Sequence, residues 1–405
     1  MAFQFALSAE QRLLRRAARE FMRSRIEPRL PVDDWRGHGG DSPLELVRDM
    51  QGQGYFGMPI PRELGGAGTG EPGYCIVAEE VAAVDASLTT ILGAHTGIGM
   101  MPIYLFGTDE QRERFVRPLA DGRHVAAFAL TEPTAGSDAA SIKTKAVRDG
   151  SDWLLSGTKI WCSNGNFADT IVAFAVTDET LGAHGGVTAF IVEKGMDGLA
   201  VGTIEDKLGI RQSNTAELVF DGCRVPKENI LGNVGEGFIV ALTALDGGRV
   251  GLGAGTLGST KRLLEDCVHR TQVRERHGKP IGRSQSVQWA LADMAVDIHL
   301  AEYAVYHAAA LVQDYYDRIA KGEAVPRALR SMVSRAAAAV KIHCSEMAGR
   351  AGETAIQLFG GDGIKARYRI DRAFRDQIIT EIYEGTNEIQ RLIIARELLQ
   401  EGGSR

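Results

Sequence analysis

A single carboxylate near the end of the chain sits where acid–base chemistry on a bound ligand would need one. The stretch reads Arg375-Asp376-Gln377-Ile378-Ile379-Thr380-Glu381-Ile382-Tyr383-Glu384-Gly385-Thr386-Asn387-Glu388. It sets Glu384 between an aromatic residue and a glycine, ahead of small and amide side chains. Glycine beside a carboxylate lets backbone approach a ligand closely and leaves an N–H free to donate. Thr386 and Asn387 can hydrogen-bond a polar ligand, and a base beside such backbone suits proton abstraction next to a carbonyl. The same letters also fit a helix start capped by Thr386, with Glu384 on a solvated turn. Other segments must decide between the two.

A second segment, Phe128-Ala129-Leu130-Thr131-Glu132-Pro133-Thr134-Ala135-Gly136-Ser137-Asp138, places Leu130 and Thr131 at a strand end broken by Pro133 and Gly136. Backbone donors and two hydroxyls converge there. The elements that must position both segments follow from periodicity. From Ser8 to about Val125 the pattern is helical, with Ser8 and Gln11 spaced as a capping box and Leu13, Leu14, Ala17, Ala18 and Phe21 at helical spacing. The stretch Pro59–Gly73 reads as loop, Glu71–Val84 as helix, and Asp109–Val116 as a short helix capped at Thr108.

After Val125 come short segments rich in β-branched and aromatic residues: Trp153–Leu155, Lys159–Trp161, Thr170–Val176, Val187–Val192 and Ala216–Phe220. The pairs Gly157-Thr158, Gly165-Asn166 and Asp221-Gly222 read as turns between them. Strands without intervening helices imply an antiparallel sheet or barrel over roughly 126–232. Beyond Gly237 the long helices Phe238–Arg274, Gln285–Ala320, Pro326–Leu358 and Thr386–Leu399 suit an antiparallel four-helix bundle. The expected organisation is a helical domain over 1–125, a β domain over 126–232 and a four-helix-bundle domain over 233–405, an α+β multidomain protein.

Composition narrows the function classes. The 405 residues are 44% hydrophobic and 24% charged, ordinary for a globular protein. A formal charge of −6 argues against nucleic acid as a partner. The five cysteines (Cys75, Cys162, Cys223, Cys267 and Cys344) form no C-x-x-C pair. That pattern reads as a reducing compartment with neither a disulfide framework nor a zinc site. No secretory signal is visible at the N-terminus and no run of about 18 apolar residues is seen. The first basic stretch, Gln11–Arg29, reads as a domain helix rather than a transit peptide. A cytoplasmic protein without a membrane span is expected.

Together the two motif segments, which recur in family order, resemble the acyl-CoA dehydrogenase family, flavoenzymes that desaturate acyl thioesters. The likeness covers nearly the whole chain. Its middle is most similar to the very-long-chain branch, without the C-terminal extension of that branch. The resemblance implies FAD, an acyl thioester carried on CoA or a carrier protein, and an electron-transferring flavoprotein as acceptor. It also implies that Phe128, Leu130 and Thr131 meet the flavin and that Ser137 lies where its pyrophosphate and the thioester tail converge. In Trp161-Cys162-Ser163 the indole can cover one ring face while Ser163, often Thr in the family, can donate to flavin N5. Thr386, Asn387 and Glu388 follow the base at the cofactor.

Arg274 matches the family arginine that pairs with pyrophosphate, although His277 stands where an aromatic is usual. Arg274, Gln285 and Gln357 with Gly360 and Gly361 reach a neighbouring subunit's flavin in the family, implying a dimer or tetramer. Asp246 and Arg249 match residues that contact the pantetheine arm and steady the base. Two branches place their base at the position of Gly248, which cannot act, so Glu384 has no rival. Gly385 and Arg396 match substrate-side positions, with a solvated helix arginine nearly as good a reading of the latter.

The implied reaction is α,β-dehydrogenation to the trans-2-enoyl thioester, with Glu384 removing the α-proton. An oxygen-using relative, an acyl-CoA oxidase or flavin monooxygenase, is the alternative. Gly253-Ala254-Gly255-Thr256-Leu257-Gly258 fits G-x-G-x-x-G. Its helical surroundings favour close helix packing over a nicotinamide site. The small residues of Thr89–Gly99, above all Gly93-Ala94-His95-Thr96-Gly97, lead one to expect a deep acyl channel and medium or longer straight chains.

Overall fold

The computed structural model describes residues 7–30, 43–365 and 368–402. Helix α1, Ala9–Phe21, begins at Ser8, whose hydroxyl accepts from Gln11 N–H while the Gln11 side chain returns to the Ser8 N–H. This reciprocal cap satisfies two donors that a helix start leaves orphaned. Helices α2 (Leu44–Gly52), α3 (Gly70–Ala82), α4 (Ala86–Gly93) and α5 (Met101–Phe106) follow, with a π-helical stretch over Ala94–Met100 joining the last two. Asp85 starts α4 by accepting from Leu88 N–H. The expected helix at Asp109 is α-helical only to Gln111 and π-helical over Arg112–Val116, behind the Thr108 cap.

Eight strands then form one sheet: β1 (Ala126–Ala129), β2 (Lys145–Asp149), β3 (Asp152–Ser163), β4 (Thr170–Val176), β5 (Val187–Glu193), β6 (Leu199–Ile204), β7 (Thr215–Val225) and β8 (Ile230–Leu231). Their order is β6-β7-β3-β2-β4-β5-β8, with β1 also on β4. Two features depart from the sequence expectation. The sheet is mixed, since β1 and β2 both run parallel to β4. Gly157-Thr158 and Asp221-Gly222 lie within β3 and β7 rather than between strands. Gly157 at φ 151° bends the strand without ending it, next to a register shift in the β3–β7 ladder.

Strand β4 is apolar on both faces for a physical reason. Val172 and Phe174 pack into the large core shared with the helices, while Ile171, Ala173 and Ala175 fill a second core on the other side of the sheet. A strand buried on two faces shows no alternation.

The long helices are α6 (Gly237–Val273), α7 (Gln285–Ala320), α8 (Arg327–Phe359) and α10 (Asn387–Gly402), with α9 (Ile370–Ile378) inserted before the last; sequence periodicity did not separate α9. Helix α6 is the axis of the molecule. It contains a stretch long and apolar enough to cross a membrane, but 83% of that stretch is buried inside the protein. Its glycines explain how. A Cβ at Gly258 would fall 1.9 Å from the Glu79 carbonyl oxygen, one at Gly253 2.2 Å from Val340, and one at Gly251 2.7 Å from the Tyr74 ring. The G-x-G-x-x-G letters therefore serve helix packing.

Gly258→Ala must push apart two backbones and should cost about 1–3 kcal/mol, the overpacking range. Gly52→Ala, with nothing within 4 Å of the added methyl, should be neutral or slightly stabilising. Urea denaturation of the two variants checks the contrast.

Candidate active site

The loop from α9 to α10 presents Glu384 in a left-handed conformation, φ 57°, followed by Gly385 at φ 85°. A non-glycine residue holds that conformation only when its surroundings insist. Here they do. Arg249 Nε donates to the Glu384 carbonyl oxygen at 3.0 Å, and Gln390 Nε2 donates to the carbonyls of Glu384 and Gly385 at 3.2 and 3.0 Å. Arg249 is fixed in turn by Asp246 Oδ1 at 2.8 Å, whose other oxygen accepts from Ser334 Oγ at 2.8 Å. Arg249 thus steadies the backbone of the carboxylate residue rather than the carboxylate itself. Helix α9 is anchored to the β domain, with Arg375 donating to Leu208 O at 2.8 Å and Asp376 accepting from Ile210 N–H.

The carboxylate turns inward. Glu384 Oε2 is sealed from solvent and has no hydrogen-bond partner, and the Glu384 N–H meets no backbone acceptor among the described residues. A Cβ at Gly248 would lie 2.9 Å from both carboxylate oxygens and from Ile98 Cγ2. Any side chain at 248 would therefore displace the carboxylate. Burial raises the Glu384 pKa to about 7, against the lowering pull of Arg249 and Lys341. The solvated-turn reading is thereby excluded.

The other expected segments lie on the sheet. Ile160 N–H donates to Thr131 O at 2.9 Å, which sets Thr131 beside Trp161. A register shift between Lys159 and Cys162 in the β3–β7 ladder turns the indole outward: Trp161 has φ 59° and is 55% exposed, while Cys162 is buried. Lys159, fully buried, pins the Leu130–Glu132 segment by donating to Leu130 O at 3.0 Å and to Glu132 Oε1 at 2.7 Å. Asn164 donates to Ile91 O at 3.0 Å and Ala126 O at 3.2 Å, joining the end of β3 to α4 and β1. Phe128 packs on Phe174, and Ser137 is exposed on the loop beyond.

The remaining expected residues divide. Thr386 Oγ1 accepts from Ile389 N–H and so caps α10, as the helix-start reading expected. Asn387 does not point its side chain at a ligand: its Oδ1 accepts from Lys341 Nζ at 2.8 Å and its Nδ2 donates to Ser345 Oγ at 3.0 Å. Glu388 and Arg396 are exposed on α10. Arg274, Gln285, Gln357, Gly360 and Gly361 are all exposed at the other end of the bundle. Ile281 N–H bonds Arg274 O and Arg270 pairs with Asp362 at 2.8 Å, which holds that group together. Arg274 follows Arg249 along α6 by a distance of about 37 Å at ~1.5 Å per residue.

Among the small residues expected to line a deep channel, Gly93 and Gly97 face the Tyr74 phenol, whose oxygen lies 3.5 Å from where a Cβ at Gly93 would be and 3.7 Å from one at Gly97. His95 is turned away, accepting from Ala126 N–H at 3.0 Å. Lys341 and Tyr74 escaped the sequence reading. A lysine on the apolar period Ala337, Ala338, Lys341, Cys344, Ser345, Ala348 was the signal for the first, since all six are buried.

Three helical, sheet and helical blocks around an inward carboxylate and an outward indole define a class, and the comparisons name it. Models of the acyl-CoA dehydrogenase N-terminal, middle and C-terminal domains match residues 8–123, 127–223 and 235–399. The chain belongs to the acyl-CoA dehydrogenase family. It is 39% identical to the short-chain-specific acyl-CoA dehydrogenase of Clostridium acetobutylicum over 397 residues, covering 98% of this chain and all of that protein. The butyryl-CoA dehydrogenase structure from Megasphaera elsdenii superposes with a TM-score of 0.90 at 37% identity, covering 98% of this chain and 100% of that one. A structure described as the electron transferring flavoprotein of Acidaminococcus fermentans, in a study of flavin-based electron bifurcation, contains a chain with a TM-score of 0.90 at 40% identity, covering 98% and 100%. The names of the first two give the very-long-chain likeness no support.

Glu384 should take up its proton as pH falls through about 7, well above the range of an exposed carboxyl. Infrared difference spectroscopy across pH 5–9 measures this, and the band that moves must vanish in Glu384→Gln.

Proposed function

We propose that this protein is an FAD-dependent acyl-CoA dehydrogenase that converts an acyl thioester to its trans-2-enoyl thioester and delivers the electrons to an electron-transferring flavoprotein. The observation that carries the reading is the sealed, unpartnered Oε2 of Glu384 facing Gly248. A base in that position is desolvated, so its pKa lies near operating pH, where proton transfer is most efficient. The Glu384 N–H is an open donor for the thioester carbonyl and would stabilise the enolate that forms as the α-proton leaves.

The residues present fit FAD: an orphaned carboxylate oxygen lies over a glycine cradle at Gly248, and an indole stands exposed at the end of β3. When bound, FAD supplies the acceptor for the β-hydride. Trp161, Thr131 and Ser163 would hold its ring, with Phe128, Leu130 and Ser137 alongside. Thr386 and Asn387 would contribute backbone only, since their side chains are engaged within the fold. Asp246 acts through Arg249, and both are almost fully buried, so they serve the base turn. Gly385 lies beside the thioester, and Arg396 stays in solvent.

Arg274, Gln285, Gln357, Gly360 and Gly361 lie too far along the bundle to reach the flavin beside Glu384 in the same chain, so they serve a neighbouring subunit. A face of α7 supports that assembly, because Trp289, Val296 and Leu300 recur at helical spacing and are more than half exposed. The assembly is a homodimer or homotetramer, the domains divide at about 125 and 232, and the compartment is cytoplasmic, consistent with five buried free thiols.

For the acyl group, Tyr74 under Gly93 and Gly97 supports short straight chains in place of the medium or longer ones read from sequence. Glu384→Gln should retain FAD yet lose at least ~10²–10⁴-fold in kcat with butyryl-CoA and an artificial acceptor. Turnover near the parent value removes Glu384 from the mechanism. Tyr74→Ala should shift kcat/KM from butyryl- toward octanoyl-CoA by tenfold or more, since each newly buried methylene contributes about 0.8 kcal/mol. An unchanged ratio across the acyl-CoA series places the floor elsewhere.

A further inference from the structure

Lys341 is a charged group near the base that the proposed chemistry does not yet use. It lies in α8 with no solvent exposure. Its Nζ donates to Asn387 Oδ1 at 2.8 Å, and the Asn387 oxygen also accepts from Ser345 Oγ at 3.2 Å. No carboxylate lies within ion-pair distance of it among the described residues. A fully buried ammonium held by a neutral amide is costly to maintain. Burial pulls the Lys341 pKa down to about 8, and Glu384 is the first of the anions that oppose this fall, ahead of Glu381 and Glu388. The amide that holds it belongs to the first residue of α10, three positions past Glu384, so the lysine is tied to the base turn itself.

We propose that Lys341 is a positioning residue that sets the proton affinity of Glu384, keeping the base ionised at neutral pH by its buried positive charge and by holding Asn387. This rests on the reading of Glu384 as the base. The surroundings of the pair support a division of labour. Arg249, the other cation near Glu384, is engaged by Asp246 and spends its donor on the Glu384 backbone. Asp246 is itself partly offset by Ser334, with Glu397 beyond it. Tyr74 and Tyr383 flank Glu384, and Glu71 lies behind Tyr74; burial raises the pKa of each of these three, so all stay neutral near pH 7. Lys341 is therefore the cation whose charge is not already matched by a bonded carboxylate.

The sign follows directly. Removing the positive charge raises the Glu384 pKa, so a smaller fraction of the base is ionised at any pH below it. The test is the pH profile of kcat/KM with butyryl-CoA and an artificial acceptor, on FAD-loaded enzyme. In Lys341→Met the lower apparent pKa should rise by about one unit. Activity should then fall roughly tenfold near pH 6 and recover to within about twofold of the parent at pH 9. Lys341→Arg should keep the parent pKa. Asn387→Asp, which leaves the lysine in place but pairs it with an anion, should raise the pKa as Lys341→Met does.

A uniform loss at every pH in FAD-loaded Lys341→Met, or an unmoved pKa, overturns the proposal. If that variant does not load FAD, an unmoved pKa in Asn387→Asp overturns it alone. Activity surviving in Glu384→Gln would instead sink the base assignment beneath it.

Discussion

The left-handed turn at Glu384 is the constraint on which the rest depends. A glutamate at φ 57° is held against its own preference, at a cost on the order of 1–3 kcal/mol. Three donors to the carbonyls of Glu384 and Gly385 keep it there, one from α6 and two from a single α10 side chain. With the backbone locked, the carboxylate has one place to go, over Gly248. The glycine is then a requirement of packing as much as an absence of a competing base. The same burial that makes room for the carboxylate raises its pKa, so position and proton affinity have a common cause.

Helix α6 transmits this order through the molecule. Its glycines bring it against α3, α8 and the Ala94–Met100 segment, and it carries Asp246, Gly248 and Arg249 within one turn. The sheet meets it from the other side by different means. Buried polar joints, Lys159 to Glu132 and Asn164 to Ala126 and Ile91, fix the strand ends that carry Thr131 and Trp161. Such groups are expensive to bury and specific once satisfied. They fix the backbone that carries Thr131 and Trp161 to the helices packed beside it.

Most of the helices were legible because their burial is one-sided and periodic. The Ser8 and Thr108 caps were legible because capping is local chemistry. Glu384 was legible from its neighbours Tyr383 and Gly385, and its carboxylate proved inward. Strand ends were harder: Gly157 and Gly222 look like turns by letter but lie inside strands whose partners carry the chain through. Parallel pairing of β1 on β4 leaves no local mark, because it joins residues more than forty positions apart.

By itself the sequence determined the motif order, the helical and β regions, the acid–base candidate and the family likeness, since each rests on residues close together in the chain. Tertiary structure alone decided what surrounds them. Gly93 and Gly97 read as small residues alone, and a tyrosine from α3 packs against both. Asn387 read as a ligand contact, and a lysine from α8 claims its side chain. Arg274, Gln285 and Gln357 lie far apart in the chain, and the fold gathers them at the end of the bundle away from the base. In each case a side chain brought from a distant segment fills the volume or the hydrogen bond, and no local pattern records which distant residue will arrive.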